Sequence, residues 1–599
     1  MALLKVIIPG PWWHELSYES DKAEKIGVRL LVPMGRSERI GLCTGVEYGA
    51  CEGVSLRKVI KSLDPEPVIP ESYLEAAKIT AGAFLCSTGE VLNSILPSAF
   101  WRGDKFPAFK AYPQKKNENK VEFYYELDDA ERCRVYQDAV LKANKGALVV
   151  FPERQVAKNF YRSLVGVIPK DRLFFWPNSG GQTVLRYWKA VLASEMPVVV
   201  GTLSACAAPV RDSSLCILDD ESNVLWRAKN YPHISLRSFS AARSRVSGGS
   251  LLLGGRLPSS RVYQGFSPQE HPVSLKKTTL RLLDLKSVSR LGFKGIKFPL
   301  PVADILLSET VNLVSDNKIV FWLLDRRGVS GELHCADCGQ SLSCSRCGST
   351  FSLEKGQLRC SVCGQKAAVP LRCPSCGGRV LEGSSPGLEA LLPMAKNLLS
   401  DKPVVIWHGE DPANLTEAKA RVSLLKKEGG LLIGSRRALS LLDSLHTDLI
   451  AWLDADAEAR QPHYTSRFTA YSMLLESLFR GGHNRVVLLQ SRNFSQPWLR
   501  GLQLGWTYFW NEELRERANF DFPPNSHLVE IEPPSSWKWR EDLVRSLDEA
   551  GFYTLLSEGS SKKFTVLTPR MAHLRHFLEK YFSIKRSRFG FPKITVWSD

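Results

Sequence analysis

Eight of the chain's 14 cysteines fall between residues 335 and 376, as four Cys-x-x-Cys pairs: Cys335/Cys338, Cys344/Cys347, Cys360/Cys363 and Cys373/Cys376. Two residues between thiolates let one tight turn present both sulfurs to a single tetrahedral metal, and zinc favours four such soft ligands. Eight ligands imply two closed four-sulfur sites and a complement of two Zn²⁺. A Gly follows each pair (Gly339, Gly348, Gly364, Gly377), where the backbone must turn back toward the sulfurs. The rival is a set of disulfides. The N-terminal run Met1–Pro9 reads as a first strand rather than a secretory signal, so a cytoplasmic protein with reduced thiols is expected. No His or open coordination position is needed to explain the pattern. The metals are therefore expected to hold a small domain together, and spacing alone leaves open which pairs share an ion. The other six cysteines are scattered and read as small buried apolar residues.

The 599 residues are enough for about four domains of ~150 residues. No apolar run approaches the ~18 residues of a membrane span, so no membrane partner is expected. The 79 Lys and Arg against 62 Asp and Glu leave a net charge of +17, which points to a polyanionic partner. Residues 1–62 are β-rich: Gly27–Arg36 reads as a strand ending in a basic turn, with Ile40–Gly45 as its return. Residues 68–100 have a helical pattern, and a polar linker follows at Tyr112–Lys120. Short apolar runs then alternate with helix-length segments twice over. The first set includes Ala147–Phe151, Pro197–Val200 and Leu215–Leu218, and the second Ile319–Leu323, Val404–Trp407 and Leu449–Trp452. Near-continuous apolar strands separated by helices mean parallel sheets covered on both faces. The fold class is α/β multidomain, with two RecA-like lobes in tandem and the cysteine region inserted in the second. From about 515 a smaller α+β pattern places strands at Leu528–Ile531, Phe564–Leu567 and Lys593–Trp597. Its last helix runs into the basic stretch Lys585–Arg588.

Several of these features resemble the PriA family of bacterial primosomal proteins, over essentially the whole chain. The family's Gly-x-Arg-Val-x-Val-Pro-Phe-Gly is matched by Gly27–Gly35 with Gly41, and its Phe/Leu-x-Tyr element by Leu16-Ser17-Tyr18. Gly89–Leu92 with Leu96-Pro97, Leu324–Gly328, the cysteine spacing, Asp454–Asp456 and Leu514–Arg517 through Phe522–Pro524 are further landmarks. The resemblance implies a 3′ DNA-end-binding-like domain at 1–62 and a winged-helix-like domain and linker at 63–115. It implies lobe 1 at 116–298, lobe 2 at 299–330 and 381–512, a two-zinc module at 331–380 and a C-terminal α+β domain at 513–599. It implies nested metal pairing, with Cys335, Cys338, Cys373 and Cys376 on one zinc and Cys344, Cys347, Cys360 and Cys363 on the other. It also offers Arg29, Arg36 and Arg39 to DNA phosphates, and Tyr18 for stacking on a terminal base.

The chain departs from the family at its nucleotide motifs. The phosphate loop Gly-x-Thr-Gly-Ser-Gly-Lys-Thr works because glycine amides wrap phosphates, Lys reaches the β/γ-phosphates and Thr holds Mg²⁺. Here the stretch is Glu126–Cys133, without glycine and with Arg132 in place of Lys. The Asp-Glu-x-His box is Asp219-Asp220-Glu221-Ser222, and Gly-Ser-Ala-Thr is Gly254-Gly255-Arg256-Leu257. The arginine-finger motif keeps Arg480 but carries His483 at the finger. Arg132, Asp219, Asp220, Glu221 and Arg480 are thus vestigial nucleotide-site positions, and ATP with Mg²⁺ is not expected as a cofactor. The expected function is binding of branched DNA at replication forks and nucleation of primosome assembly without ATP-driven unwinding. The expected partners are single-stranded DNA-binding protein and other primosome or helicase-loading proteins. Two alternatives stand beside it: an active 3′–5′ helicase with an unorthodox nucleotide site, and a zinc-ribbon nucleic-acid-binding protein outside replication.

Overall fold

The structure is a computed structural model. It describes residues 2–48, 56–109, 120–178, 181–271 apart from 213, 278–285, 287, 302–324, 540–556, 563–585 and 591–599. It also describes 400–534 apart from 409–411, 413, 460 and 462, and scattered stretches of 329–399. Cys347, Cys363, Cys51, the linker 112–119, the landmark at 325–328 and the basic stretch at 586–588 lie outside the described residues.

The N-terminal module is a five-stranded antiparallel sheet of β1 (Ala2–Ile7), β2 (Leu16–Ser20), β3 (Arg29–Met34), β4 (Ser37–Glu47) and β5 (Lys61–Ser62), ordered β2-β1-β4-β3-β5. The basic turn between β3 and β4 closes at Gly35, whose φ of 62° suits a residue without Cβ. Leu4, Val6, Leu30, Val32 and Cys43 fill the inward face. The segment expected to be a winged helix contains α1 (Glu71–Phe84), α2 (Thr88–Ile95) and a 3₁₀ turn (Ser98–Arg102). Among its described residues there is no wing hairpin. Ser87 and Glu90 form a reciprocal capping box that starts α2. The helices do not enclose a core of their own. Tyr73, Leu74, Val91 and Leu92 share one cluster with Leu148, Trp176 and Trp188 of the next domain.

Lobe 1 is a six-stranded, wholly parallel sheet. Its strands are β6 (Val121–Tyr125), β7 (Ala147–Val150), β8 (Leu173–Phe175), β9 (Val198–Gly201), β10 (Leu215–Leu218) and β11 (Leu251–Gly255), in the order β6-β11-β10-β7-β9-β8. β7 and β9 are buried along their whole length, which is why they read as unbroken apolar runs. Lobe 2 is a second six-stranded parallel sheet. Its edge strand is Thr278–Asp284, paired with Arg485–Ser491. Lobe 2 thus begins about twenty residues before the expected boundary at 299. Half-exposed and interrupted by Thr and Arg, that strand lacks the unbroken apolar signature of its neighbours. The cysteine region leaves the sheet after Ile319–Leu323 and returns at the helix Leu388–Leu398. A four-stranded antiparallel sheet with helices Arg540–Glu549 and Met571–Lys585 forms the C-terminal α+β domain. The helix Trp506–Ala518 straddles the boundary expected at 513.

Candidate functional site

The four residues assigned to DNA in the N-terminal module divide into two pairs. Arg36 and Arg39 are exposed, at the tip of the β3–β4 hairpin. Tyr18 and Arg29 are not, and their assignment is corrected here. Tyr18 is 4% exposed in the sheet's core, its hydroxyl donating to the Pro33 carbonyl at 3.1 Å, so neither face of the ring is open to a base. Arg29 is 1% exposed and makes a bidentate pair with Asp64, Nε and Nη2 each at 2.8 Å. It also donates to the carbonyls of Phe100 (2.8 Å) and Asp104 (2.9 Å) and lies against the rings of Phe100 and Phe106. A guanidinium engaged this fully is a keystone between sheet and helical segment and has nothing left for a phosphate.

The stretch that replaces the phosphate loop runs from β6 into α3 (Asp129–Lys142). In a phosphate loop the helix N-terminal amides receive the anion. Here Asp128 caps the helix, its Oδ1 accepting from the amides of Ala130 (2.9 Å) and Glu131 (3.3 Å). Arg132 turns inward, 2% exposed. It donates to Asp219 Oδ1 (2.8 Å), Asp129 Oδ1 (2.8 Å) and the Glu126 carbonyl (2.7 Å). Arg256, from the Gly254–Leu257 stretch, grips both Asp129 oxygens at 2.6 Å. Burial pushes the Asp129 carboxyl up, but the Arg256 and Arg132 charges outweigh it and hold the group well below the usual carboxylate range. Cys133, where Thr would hold Mg²⁺, is a thiol pushed up by burial to about 12 and stays neutral.

The remaining box carboxylates are committed too. Asp219 also accepts from the Tyr136 hydroxyl at 3.0 Å. Glu221 is 1% exposed and accepts from Tyr125 (2.9 Å), the Ser259 amide (2.6 Å) and Arg237. Asp220 takes Asn223 Nδ2 at 2.6 Å. The structure thus brings Arg132, Asp219, Asp220 and Glu221 to one place, but as an internally satisfied network. A triphosphate with Mg²⁺ does not fit this donor set, because the amides and cations it needs are held by the chain's own carboxylates. Arg480 lies elsewhere in the cleft, against Glu153, Asp443 and Glu476.

Beside the cleft a cavity of about 1430 Å³ opens between lobe 1, lobe 2, the helical segment and the C-terminal domain. Its lining includes Arg154, Arg227, Lys229, Arg437, Lys563 and Trp597. Arg227 lies 3.7 Å over the Trp597 ring and donates to the Val596 carbonyl at 2.8 Å, so the last strand forms one wall. Leu203 and Ser204 line another wall. Glu153 and Glu530 temper the positive lining. The groove was invisible in the sequence because it is assembled from segments more than 400 residues apart.

In the cysteine region, Cys335, Cys338, Cys373 and Cys376 converge with all four Sγ atoms within 4.8 Å of one another. Sγ separations of 3.6 Å (Cys335–Cys376) and 3.7 Å (Cys338–Cys373) are too long for disulfides. They match the ~3.8 Å expected for sulfurs on a tetrahedron with Zn–S near 2.3 Å. The Gly378 amide donates to Cys376 Sγ at 3.4 Å. These four residues fit a structural zinc. Of the inner set, Cys344 and Cys360 are each 1% exposed and share a cluster with Phe522, Leu528, Leu555 and Leu567, which seats this end of the module on the C-terminal domain.

Two parallel-sheet lobes, a basic groove beside their cleft, an antiparallel N-terminal module and a four-cysteine cluster that fits a metal define a multidomain α/β protein with a helicase-like, RecA-type fold. Residues 5–97 match the family model PriA_3primeBD, described as 3′DNA-binding domain (3′BD). The chain is similar to proteins named "Replication restart protein PriA". That of Treponema pallidum is 21% identical, over 84% of this chain and 82% of its own length. That of Thermotoga maritima is 24% identical, over 80% and 64%, and that of Borreliella burgdorferi 20% identical, over 80% and 76%. Among solved structures, S. cerevisiae Dbp5 bound to RNA and ADP BeF3 aligns with a TM-score of 0.35 at 11% identity, covering 67% of this chain and 89% of that one. So distant a likeness carries no weight beside the sheet topology. The chain is thus similar to proteins of that name over most of its length, with a 3′DNA-binding-domain match at its N-terminal module.

Proposed function

We propose that this chain binds branched DNA at replication forks and nucleates assembly of the restart machinery without ATP-driven unwinding. The observation that carries the reading is a contrast: the nucleotide cleft is filled by its own ion pairs, while the nucleic-acid groove beside it is open and basic. The N-terminal module would meet the duplex or its 3′ end through Arg36 and Arg39. The groove would take a single strand, with Arg154, Lys229 and Arg437 toward phosphates. A second zinc on Cys344, Cys347, Cys360 and Cys363 would complete the module, whose surface would face single-stranded DNA-binding protein or helicase-loading proteins in the cytoplasm. The 3′-end-binding match at 5–97 supports DNA over RNA as the ligand.

The test is affinity of the purified, zinc-loaded chain for a fork with a 3′ leading-strand end, with Arg437→Glu and Arg154→Glu as groove variants. Each variant is expected to weaken fork binding and lower the salt slope by about one, as loss of a phosphate contact does. Unchanged affinity in both would remove the groove from the reading, and equal affinity for fork and plain duplex would remove the fork.

A further inference from the structure

We infer that the cleft between the two lobes is bolted shut by the chain's own side chains, with the Glu153 carboxylate of lobe 1 gripped by Arg480 of lobe 2. The lobes are then one body whether or not nucleotide is present.

Arg480 follows the helix Ser466–Phe479 of lobe 2 and is 2% exposed. Within lobe 2 it donates to Asp443 (Nε at 2.9 Å, Nη2 at 2.6 Å) and to Glu476 (2.9 Å). The rest of its fork crosses the cleft. Nη1 and Nη2 meet the two oxygens of Glu153 at 2.9 and 2.6 Å, and Glu153 immediately precedes the lobe 1 helix Arg154–Leu164. Bidentate geometry of this kind fixes orientation as well as distance. In a working motor the cleft closes on a nucleotide anion that comes and goes, so closure follows the nucleotide. Here the anion is covalently part of the opposite lobe.

An apolar seam beside the bridge supports the same conclusion. Leu127, from the stretch that replaces the phosphate loop, and Leu257, from the Gly254–Leu257 stretch, belong to lobe 1 by sequence. Both are buried in lobe 2's hydrophobic cluster, with Leu257 2% exposed. Tyr263 stacks on Trp510 with ring centroids 6.1 Å apart, and the Trp510 indole donates to the Pro258 carbonyl at 3.2 Å. The Glu270 carboxylate accepts the Thr507 amide at 2.9 Å. Opening the cleft would unpair a buried guanidinium and wet this seam at once. An ion pair with both partners in place and an apolar surface beside it has no nucleotide-dependent term to change its balance.

The inference deepens the motor-less reading, but its readout involves no DNA, so failure of the fork experiment and failure of this one are distinguishable. The measurement is amide hydrogen exchange of the full, zinc-loaded chain, with and without MgATP, in the wild type and in Glu153→Gln. Arg480→Ala would strand Asp443 and Glu476 as buried charges and risk unfolding lobe 2, so Glu153, 22% exposed at its side chain, is the position to change. Leu257→Ala is the companion variant for the seam. In the wild type, peptides covering 436–445 and 251–257 are expected to exchange slowly and identically with and without MgATP. Each variant is expected to speed them about tenfold while the N-terminal module stays unchanged. Protection of these peptides by MgATP in the wild type would overturn the inference, as would variants that leave their exchange unaltered.

Discussion

A buried guanidinium is expensive to desolvate, and paired carboxylates offset that cost. Arg29, Arg132 and Arg480 are each paired with carboxylates from distant parts of the chain. Removing Arg29 by Arg29→Ala strands Asp64, and chemical denaturation should report a loss of about 3–5 kcal/mol. Arg36→Ala and Arg39→Ala touch only exposed side chains. They should stay within about 0.5 kcal/mol of wild type and show their effect in DNA titrations instead. The three arginines of that hairpin look alike in sequence, since nothing local distinguishes them. What separates them is Asp64, 35 residues away, and such a partner cannot be read from periodicity. His527 supplies a pH prediction. Burial and the Arg261 charge lower its imidazole to about 4, and Arg261 Nη2 lies 2.9 Å from Nδ1. The folded value lies below the unfolded one near 6.5, so its stabilising contribution is complete above 6.5 and is lost as pH falls toward 4. Denaturation midpoints across that window should fall with acidity, and His527→Gln should flatten the slope.

At the scale of elements, patterns that repeat along the chain were legible and partners across it were not. Unbroken apolar runs announced the parallel strands of both lobes, because a strand buried on both faces has no polar side to show. Cysteine spacing announced the metal module for an equally local reason. The strand Tyr553–Leu556 was missed: Tyr553 is 51% exposed, and the strand is an edge that pairs only with Phe564–Thr568. In the segment expected to be a winged helix, the described residues form two helices and a 3₁₀ turn, and α1 spends its apolar face on lobe 1. The metal module carries its own prediction. Metal analysis should find about two zinc per chain, and Cys373→Ser should remove one. Chelation should loosen the contact of Cys344 and Cys360 with the C-terminal cluster, seen as faster proteolysis between 331 and 380. One zinc in the wild type would mean that the inner cysteines serve only as packing.

For the whole molecule, net charge, groove and cleft form one account. On the proposed reading a charge of +17 would draw the chain to a polyanion, and the groove would give a strand somewhere to lie. The cleft that would power movement along that strand is occupied by Asp128, Arg132, Asp129 and Arg256. Leu127 and Leu257, beside the residues that fill the phosphate site, also pack into lobe 2, so the filled site and the closed cleft adjoin. The most direct test combines binding and turnover in the same tubes. Purified chain is titrated against a synthetic fork with a 3′ leading-strand end, plain duplex and RNA, with ATP hydrolysis followed throughout. The account predicts fork-selective binding that MgATP does not shift, with hydrolysis at background. DNA-stimulated hydrolysis would contradict it, because a site built from Arg132, Asp129 and Asp219 as described has no place for the phosphates.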